Sequence, residues 1–262
     1  MADYGLVDVV IPNYQETESL LRAVDSALSQ GPMIGTVFVV DDGSDEETRA
    51  FISHYVQGKL NVKVIYSTHS SHPGLARDIG IAQCTSQWVA FLDSDDIWEE
   101  NKLERQLEFA DTHKLDFVSS NAFVQELNLV NGTYFEPRIG IYLDTKRLIL
   151  DNLVINSTVL VRLNLVADLG GYVRDYHLRG VEDYSTWLRL STTCNMGYLD
   201  EPLVTYTVSS NSFSRGQTPM LRIYSLIDFF FWLKPMKKLS LRVYLLYKIM
   251  RFFYGKDSWR EN

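Results

Sequence analysis

The sequence contains little cysteine, no long apolar run and none of the best-known nucleotide-binding or hydrolase motifs. Two cysteines among 262 residues, Cys84 and Cys194, exclude a disulfide framework and a cysteine-rich zinc site. No stretch reaches the roughly 18–20 apolar residues of a membrane span. Residues 1–8 lack the basic and apolar regions of a secretory signal. Walker A, GxSxG and GxGxxG motifs are absent. We therefore expect a reducing compartment and a cytoplasmic location.

Charge is distributed unevenly along the chain. The formal net charge is -8, yet residues 222–256 contain eight Lys or Arg and a single acid, Asp228. The remainder is strongly acidic, which argues against nucleic-acid binding and favours a body that handles cations. The basic segment also carries aromatic residues such as Tyr244, Tyr247 and Phe252. It is predicted either to pack on the body as a C-terminal helix or to lie on an anionic membrane surface, and the two are compatible.

Short β-branched runs alternate with helical patterns in the first half. The runs, at 7–11, 37–40, 62–66, 88–92 and 117–120, are nearly continuous in apolar character, as in strands buried on both faces of a parallel sheet. Helices are predicted between them at 19–28, 45–56, 75–82 and 99–110. The alternation predicts an α/β fold with a mostly parallel central sheet flanked by helices.

After residue 120 this alternation stops. The Asn131-Gly132 pair predicts a hairpin turn, and a helix is expected near 145–152. Strands at 158–161 and 203–208 and a helix at 182–191 follow. We predict that these elements complete one domain, residues 1–218, and that residues 219–262 form an amphipathic helical tail.

Acidic residues follow two of the predicted strands. Asp41 and Asp42 end the second strand, and Asp93, Asp95 and Asp96 end the fourth. Ligands of open α/β sheets bind at this edge, where five unneutralised carboxylates would repel one another. Bound Mg²⁺ or Mn²⁺ would relieve the repulsion and would hold a substrate diphosphate in its remaining coordination positions. A turn or a helix cap would explain either acidic motif alone. Such roles explain less well why both motifs follow strands at the same edge of the sheet.

Three further segments each permit a functional and a structural interpretation. Arg77, early in a predicted helix, can reach a diphosphate or the acidic cluster, or form a surface salt bridge. Glu182 and Asp183 either complement a helix dipole or supply a base that deprotonates a hydroxyl. Gly170-Gly171 can form a loop that lets the backbone approach a ligand.

The sequence has five histidines, and none of them form a pair with metal-like spacing. We expect all five at the surface or in loops: His54, His69, His72, His113 and His177.

Five segments resemble, in order, the signature blocks of family 2 inverting glycosyltransferases, which have the GT-A fold. They are residues 9–14 (VVIPNY), 40–44 (VDDGS), 74–80 (GLARDIG), 91–98 (FLDSDDIW) and 182–190 (EDYSTWLRL). The resemblance covers roughly residues 6–212, and its specificity comes from the ordered set. It implies the GT-A fold, transfer of a sugar from a UDP-sugar, and a divalent cation, Mn²⁺ or Mg²⁺.

The resemblance also implies roles for individual residues in binding the donor. Pro12 and Asp42 would hold the uridine, and Arg77 would contact the nucleotide site. Asp93 would lie near the ribose and Asp95 would ligate the metal, with Asp96 as an additional candidate.

The resemblance places the catalytic base on Asp183, with Glu182 as the less favoured bearer. Relatives often carry a histidine after the last core strand that helps to bind metal or diphosphate. Here that stretch, residues 206–209 (YTVS), has none, so Ser209, Ser212 or Arg215 would take its place.

Within the family, the sequence resembles bacterial enzymes that build O-antigen repeats by adding a hexose in β1,3 linkage to GlcNAc-diphosphate-undecaprenol. This implies a lipid-linked acceptor, glucose ahead of galactose as the transferred sugar, and a peripheral location at the inner face of the bacterial inner membrane. Alternatives are a transferase for another surface glycan and a sugar-nucleotide-binding protein that has lost catalysis. A nucleotidyltransferase is disfavoured, because residues 12–16 (PNYQE) are not a basic, glycine-rich loop.

Overall fold

The computed structural model describes residues 5–127, 129–136, 142–208 and 219–233. Within these ranges the strands are β1 (Val7–Asn13), β2 (Ile34–Asp41), β3 (Val62–Tyr66), β4 (Trp88–Phe91), β5 (Ile97–Trp98), β6 (Phe117–Glu126), β7 (Leu129–Thr133), β8 (Leu160–Arg162) and β9 (Met196–Val208). The α-helices are α1 (Glu18–Leu28), α2 (Glu46–Val56), α3 (Pro73–Ile81), α4 (Lys102–His113), α5 (Thr145–Leu150), α6 (Leu163–Leu169), α7 (Glu182–Leu190) and α8 (Pro219–Leu233). Short 3₁₀ helices span Gly31–Met33, Asn156–Thr158 and Tyr176–Leu178.

The strands form one mixed sheet in the order β3-β2-β1-β4-β8-β6-β9-β5, with β7 paired to β6. The first four strands are parallel, as expected for βα units with crossover helices. Strand β8 is antiparallel to both β4 and β6, and β5 and β7 are also antiparallel to their neighbours. Strands β6 and β9 are parallel. The predicted α/β architecture is therefore confirmed, but the sheet is uniformly parallel only in its N-terminal half and mixed in the second half.

The core lies on both faces of the central strands. Val9, Val10 and Ile11 of β1 are completely buried, which explains why their run shows no polar alternation. Helix α1 buries Leu20, Ala23, Val24 and Ala27, the spacing of one helical face. Burying each large apolar side chain of this kind contributes roughly 1.5–3 kcal/mol. The packed strands thus hold their C-terminal ends in fixed positions.

The Asn131-Gly132 pair does not form the predicted hairpin turn. Strand β6 ends at Glu126 and β7 begins at Leu129, so both residues lie inside β7. The register between β6 and β7 shifts at this point, and Gly132 has φ +114°. The pair therefore forms a β-bulge, a second structure that uses the conformational freedom of glycine.

The Gly170-Gly171 pair brings the backbone close to the side chain of Asp78. Gly170 ends α6 in the left-handed region with φ +88°, the usual conformation at a helix C-terminus. A Cβ atom on Gly171 would collide with the Asp78 carboxylate. The following residue, Tyr172, donates its N–H to Asp78 Oδ1 over 2.8 Å. The pair thus fixes the loop that precedes α7.

Helix α8, the first part of the predicted tail, packs on α7. Phe229 is completely buried in the core, and Arg189 of α7 lies 2.7 Å from Asp228 of α8. Tyr244, Tyr247 and Phe252 are outside the described residues. No helix in the described ranges has the length and apolar character required to cross a bilayer. Packing on the body is therefore observed for residues 219–233.

Candidate active site

A cleft of about 490 Å³ opens at the carboxyl ends of β1, β2 and β4. The residues predicted to bind substrate, bind metal or act as the base all line it: Pro12, Asp42, Arg77, Asp93, Asp95 and Asp183. Five of them lie at the C-terminal ends of the N-terminal strands or on α3, and Asp183 comes from α7. Ligands of α/β proteins bind at this position of the sheet. The structure therefore brings together residues that lie up to 171 positions apart in the sequence.

The turn after β2 fixes the Asp42 carboxylate at one end of the cleft. Asp42 Oδ1 accepts a hydrogen bond from the backbone N–H of Ser70 over 2.8 Å, and Oδ2 lies 3.2 Å from His69 Nδ1. Gly43 has φ +83°, and a Cβ there would collide with the backbone of His69. Tyr14 stacks on the His69 ring with centroids 4.1 Å apart. This end of the cleft thus combines a flat aromatic surface with an oriented carboxylate.

Two of the five strand-end aspartates are turned away from the cleft, so the predicted convergence of all five is wrong. Asp41 is completely buried, and its Oδ2 accepts from Arg49 Nε over 2.9 Å. Asp96 accepts from the Ser157 hydroxyl (2.5 Å) and the Thr207 N–H (2.8 Å). Burial, together with the nearby Asp95 and Asp93 carboxylates, raises the pKa of Asp96 well above its usual value. These two side chains hold the loops and leave Asp42, Asp93 and Asp95 to face the cleft.

Asp93 and Asp95 form an acidic pair in the cleft. Burial and the Asp93 carboxylate raise the pKa of Asp95 to about 6. A cation placed here would relieve the repulsion between the two carboxylates, so this pair fits the oxygen-liganded Mn²⁺ or Mg²⁺ that the sequence predicts. Among the described residues no three His, Cys, Asp or Glu side chains form a metal-binding group. An ion held by this pair would therefore need further ligands from a diphosphate or water, and it would neutralise the charge of a departing diphosphate.

Arg77 connects the two sides of the cleft. Its guanidinium lies 2.6 Å from Asp93 and 3.2 Å from Glu182, and it lies over the Tyr172 ring. Only 5% of Arg77 is exposed, so the predicted alternative of a surface salt bridge is wrong. A buried guanidinium between two acids neutralises them and fixes their positions.

Glu182 and Asp183 have different environments, although they are adjacent in sequence. Glu182 is buried, and besides Arg77 it accepts the Gly180 N–H over 2.6 Å. Asp183 lines the cleft and accepts from the Tyr184 N–H over 2.7 Å. Burial, then the neighbouring Glu182 charge, raise the pKa of Asp183 to about 7. Its carboxylate can accept a proton near neutral pH, as a general base requires.

The family description "Glycosyl transferase family 2" matches residues 8–160, more than half of the chain. The chain belongs to glycosyl transferase family 2. The predicted family and enzyme class are thereby confirmed, and the nucleotidyltransferase alternative is excluded. Asp183 lies beyond the matched residues, so its predicted role depends on the geometry described above.

Two bacterial proteins illustrate what this transferase is similar to. The chain is 28% identical over 217 residues to TuaG of Bacillus subtilis (strain 168), a teichuronic acid biosynthesis glycosyltransferase by name, with 81% of this chain and 82% of TuaG covered. It is 25% identical over 250 residues to WfgD of Escherichia coli, with 87% and 93% covered. WfgD is named a UDP-Glc:α-D-GlcNAc-diphosphoundecaprenol β-1,3-glucosyltransferase.

Solved structures confirm the GT-A fold of the transferase. The S. aureus TarS structure in complex with UDP-GlcNAc superimposes with a TM-score of 0.68 at 20% identity, covering 85% of this chain and 64% of that TarS chain. The mannosyltransferase PcManGT from Pyrobaculum calidifontis, in complex with GDP-Man and Mn²⁺, has a TM-score of 0.64 at 15% identity and is 69% covered. GT-A transferases typically use a divalent metal, as this second complex illustrates.

The transferase also has cleft residues that the sequence did not reveal. Tyr134, Phe135 and Tyr206 line the wall contributed by the second half of the chain. His69 and His72, expected at the surface or in loops, also line the cleft, and His72 is buried. No motif marks any of these positions, because an isolated aromatic or histidine in a sequence is usually structural. Ser209, Ser212 and Arg215, proposed in place of the family histidine, lie outside the described residues.

Proposed function

We propose that the transferase moves a hexose from a UDP-sugar to a GlcNAc residue carried on a lipid diphosphate. Glucose is favoured over galactose, and the bond formed is β1,3. The names of WfgD and of WfaP, a second Escherichia coli relative with the same printed activity, support this donor and acceptor. The product would enter O-antigen or a related surface polysaccharide. One observation carries the proposal, namely that Asp183, with its raised pKa, lines the same cleft as Asp93 and Asp95.

In the proposed reaction the acceptor hydroxyl attacks the anomeric carbon of the hexose from the face opposite UDP. The new C–O bond forms as the bond to the diphosphate oxygen breaks, so the configuration inverts. The hydroxyl proton passes to Asp183. General-base catalysis of this kind increases the rate by about 10²–10⁴-fold. Pro12 and Asp42 hold the uridine, and Asp93 lies near the ribose. Arg77 holds Asp93 and Glu182 in position between the donor and the base.

We assign Mn²⁺, with Mg²⁺ as the alternative, to Asp95 as its protein ligand. The fit is supported by the like charges of Asp93 and Asp95 and by the oxygen donors that these ions prefer. Bound there, the ion would supply the positive charge that stabilises the leaving UDP.

We further propose that residues 1–218 are the catalytic domain and that residues 219–262 contact anionic lipid at the inner face of the bacterial inner membrane. The eight Lys or Arg of residues 222–256 support this, at about 1 kcal/mol for each one near the surface. On α8, Phe230 and Trp232 are exposed while Phe229 packs inward. Sedimentation with vesicles containing phosphatidylglycerol, compared with neutral vesicles, tests this part. Equal binding to both would contradict it.

The experiment for the catalytic proposal uses the full chain with UDP-glucose or UDP-galactose, Mn²⁺ and a synthetic GlcNAc-diphosphate-lipid. Release of UDP and NMR analysis of the product give the donor, the linkage and the anomeric configuration. Asp183→Asn should abolish transfer and leave UDP-sugar binding nearly intact. Near-normal transfer by that variant would remove Asp183 as the base. Absence of UDP release with every UDP-sugar would support a binding protein that has lost catalysis.

A further inference from the structure

One wall of the cleft is built from aromatic rings that the second half of the chain contributes. Tyr134 follows β7 and Tyr206 lies in β9, and their rings meet edge to face with centroids 5.5 Å apart. The Phe135 ring meets Tyr134 at 4.9 Å, also edge to face. Because Phe135 is only 8% exposed, this pair is anchored in the core. The Tyr134 ring is therefore held by neighbours on two sides.

Tyr134 remains 44% exposed although it lines a concave site. Its backbone N–H donates to the carbonyl of Ala122 in β6 over 2.8 Å, which fixes the main chain at this point. Exposed tyrosines on a convex surface are ordinary. A ring that is fixed in place and exposed inside a cleft is instead prepared to receive a ligand, because little conformational freedom is lost on binding.

Tyr134 and the proposed base, Asp183, line the same cleft. Burial, then the Asp183 and Asp151 carboxylates, raise the pKa of Tyr134. Asn152 lines the same cleft and has a side-chain amide that can form hydrogen bonds. A ligand lying on Tyr134 would thus meet an apolar face, hydrogen-bonding groups at its edge, and a carboxylate that accepts protons.

We propose that Tyr134, held by Tyr206 and Phe135, is the platform on which the terminal sugar of the acceptor lies. A hexopyranose ring has a face of C–H groups and a rim of hydroxyls, which match an aromatic face and its polar surroundings. The donor contacts Pro12, Asp42 and Asp95 come from the N-terminal half of the sheet, so the two substrates occupy different walls. This inference rests on the proposed function and adds the site of its second substrate.

The test compares Tyr134→Ala, Tyr134→Phe and Leu129→Ala in full-length protein. Leu129 is exposed on the same hairpin and does not line the cleft, so it controls for damage to the hairpin. Tyr134→Ala should raise the KM for the synthetic GlcNAc-diphosphate-lipid at least about tenfold, as truncation of a central aromatic contact does. The KM for UDP-sugar and the slow release of UDP without acceptor should stay unchanged. Tyr134→Phe and Leu129→Ala should behave like the wild type.

An unchanged acceptor KM in Tyr134→Ala would overturn the platform, and so would a rise in the donor KM alone. Loss of acceptor affinity in Tyr134→Phe would show that the hydroxyl matters and not the ring, which also contradicts the proposal. If Tyr134→Ala lowers the melting temperature, Tyr134→Leu preserves apolar bulk at the hairpin and is measured in its place. Calorimetry with the acceptor analogue and UDP separates this inference from the proposed function. A wild type that binds the analogue more tightly than Tyr134→Ala supports the platform even without turnover. Equal binding by the two proteins overturns the platform and leaves the proposed acceptor intact, whereas no binding by the wild type overturns both.

Discussion

Replacing Glu182 with glutamine should move the acidic limb of the pH–rate profile to lower pH. Burial and the Glu182 charge raise the pKa of Asp183 from 3.8 to about 7, a difference on the order of 4 kcal/mol in favour of the protonated form. Asp183 acts as a base only when it is deprotonated. The wild-type kcat should therefore be constant above about pH 7 and fall about tenfold per pH unit below it.

Part of that pKa rise comes from Glu182 and should disappear in Glu182→Gln. A unit charge about 6 Å away contributes on the order of 2–3 kcal/mol at an effective dielectric constant of about 20, and the partial exposure of Asp183 reduces this value. Loss of the carboxylate also leaves Arg77 with one acidic partner fewer, so its positive charge favours ionised Asp183 more strongly. Both effects lower the pKa. We expect the acidic limb to shift down by about one pH unit.

The assay measures kcat from pH 5.5 to 9 with donor, acceptor and Mn²⁺ all saturating. A bound ion keeps Asp95 ionised, so the limb of kcat reports the base and not the metal site. Glu104→Gln, on the exposed side of α4, is the matched control and should leave the profile unchanged. An acidic limb that stays in place in Glu182→Gln, or that moves to higher pH, would refute the assignment of Asp183 as the base and of Glu182 as the group that tunes it.

Three further predictions address the metal site, the central ion pairs and the scaffold. Asp95→Ala should weaken Mn²⁺-dependent UDP binding at least about tenfold in calorimetry, since one carboxylate ligand of the ion is lost; equal affinity would exclude Asp95 as the ligand. Arg77→Met should lower stability in urea unfolding by about 3–5 kcal/mol, because Asp93 and Glu182 lose their buried partner; a loss below about 1 kcal/mol would show that the pairs are screened. Asp8→Ala should remove the acceptor for the N–H groups of Thr36, Thr85 and Ser86 and reduce stability by about 3 kcal/mol, while the KM for UDP-sugar stays unchanged; a large rise in KM would mean that the scaffold and the site are coupled.

The N-terminal half of the molecule could be predicted from its sequence because its central strands, β1, β2 and β4, are largely buried on both faces. Continuous apolar runs such as residues 7–11 have one structural interpretation at that length, and the acids that follow them necessarily lie at one edge of the sheet. The same regularity brought Asp42 and Asp95 to one cleft. It could not reveal that Asp41 and Asp96 turn away, since the direction of each side chain depends on partners such as Arg49 and Ser157.

The second half was less predictable because its pairings are non-local. Strand β8 has only three residues, and it lies between β4 and β6 through contacts that no local pattern encodes. Gly132 fits a turn and a bulge equally well, and the pairing with β6 decides between them. Tyr134 and Tyr206 lie 72 positions apart and form a wall only after that pairing exists. Their role could not be inferred from either position alone.

The position of Arg77 between Asp93 and Glu182 has a consequence for redesign of the enzyme. Under the proposed roles, this single cation balances Asp93, near the sugar nucleotide, and Glu182, beside the proton acceptor, so its charge is shared between recognition and chemistry. Substitutions that alter nucleotide preference by changing Asp93 will redistribute that charge toward α7. Such variants should therefore be screened at several values of pH, because a change in nucleotide preference will be accompanied by a change in the pH optimum of transfer.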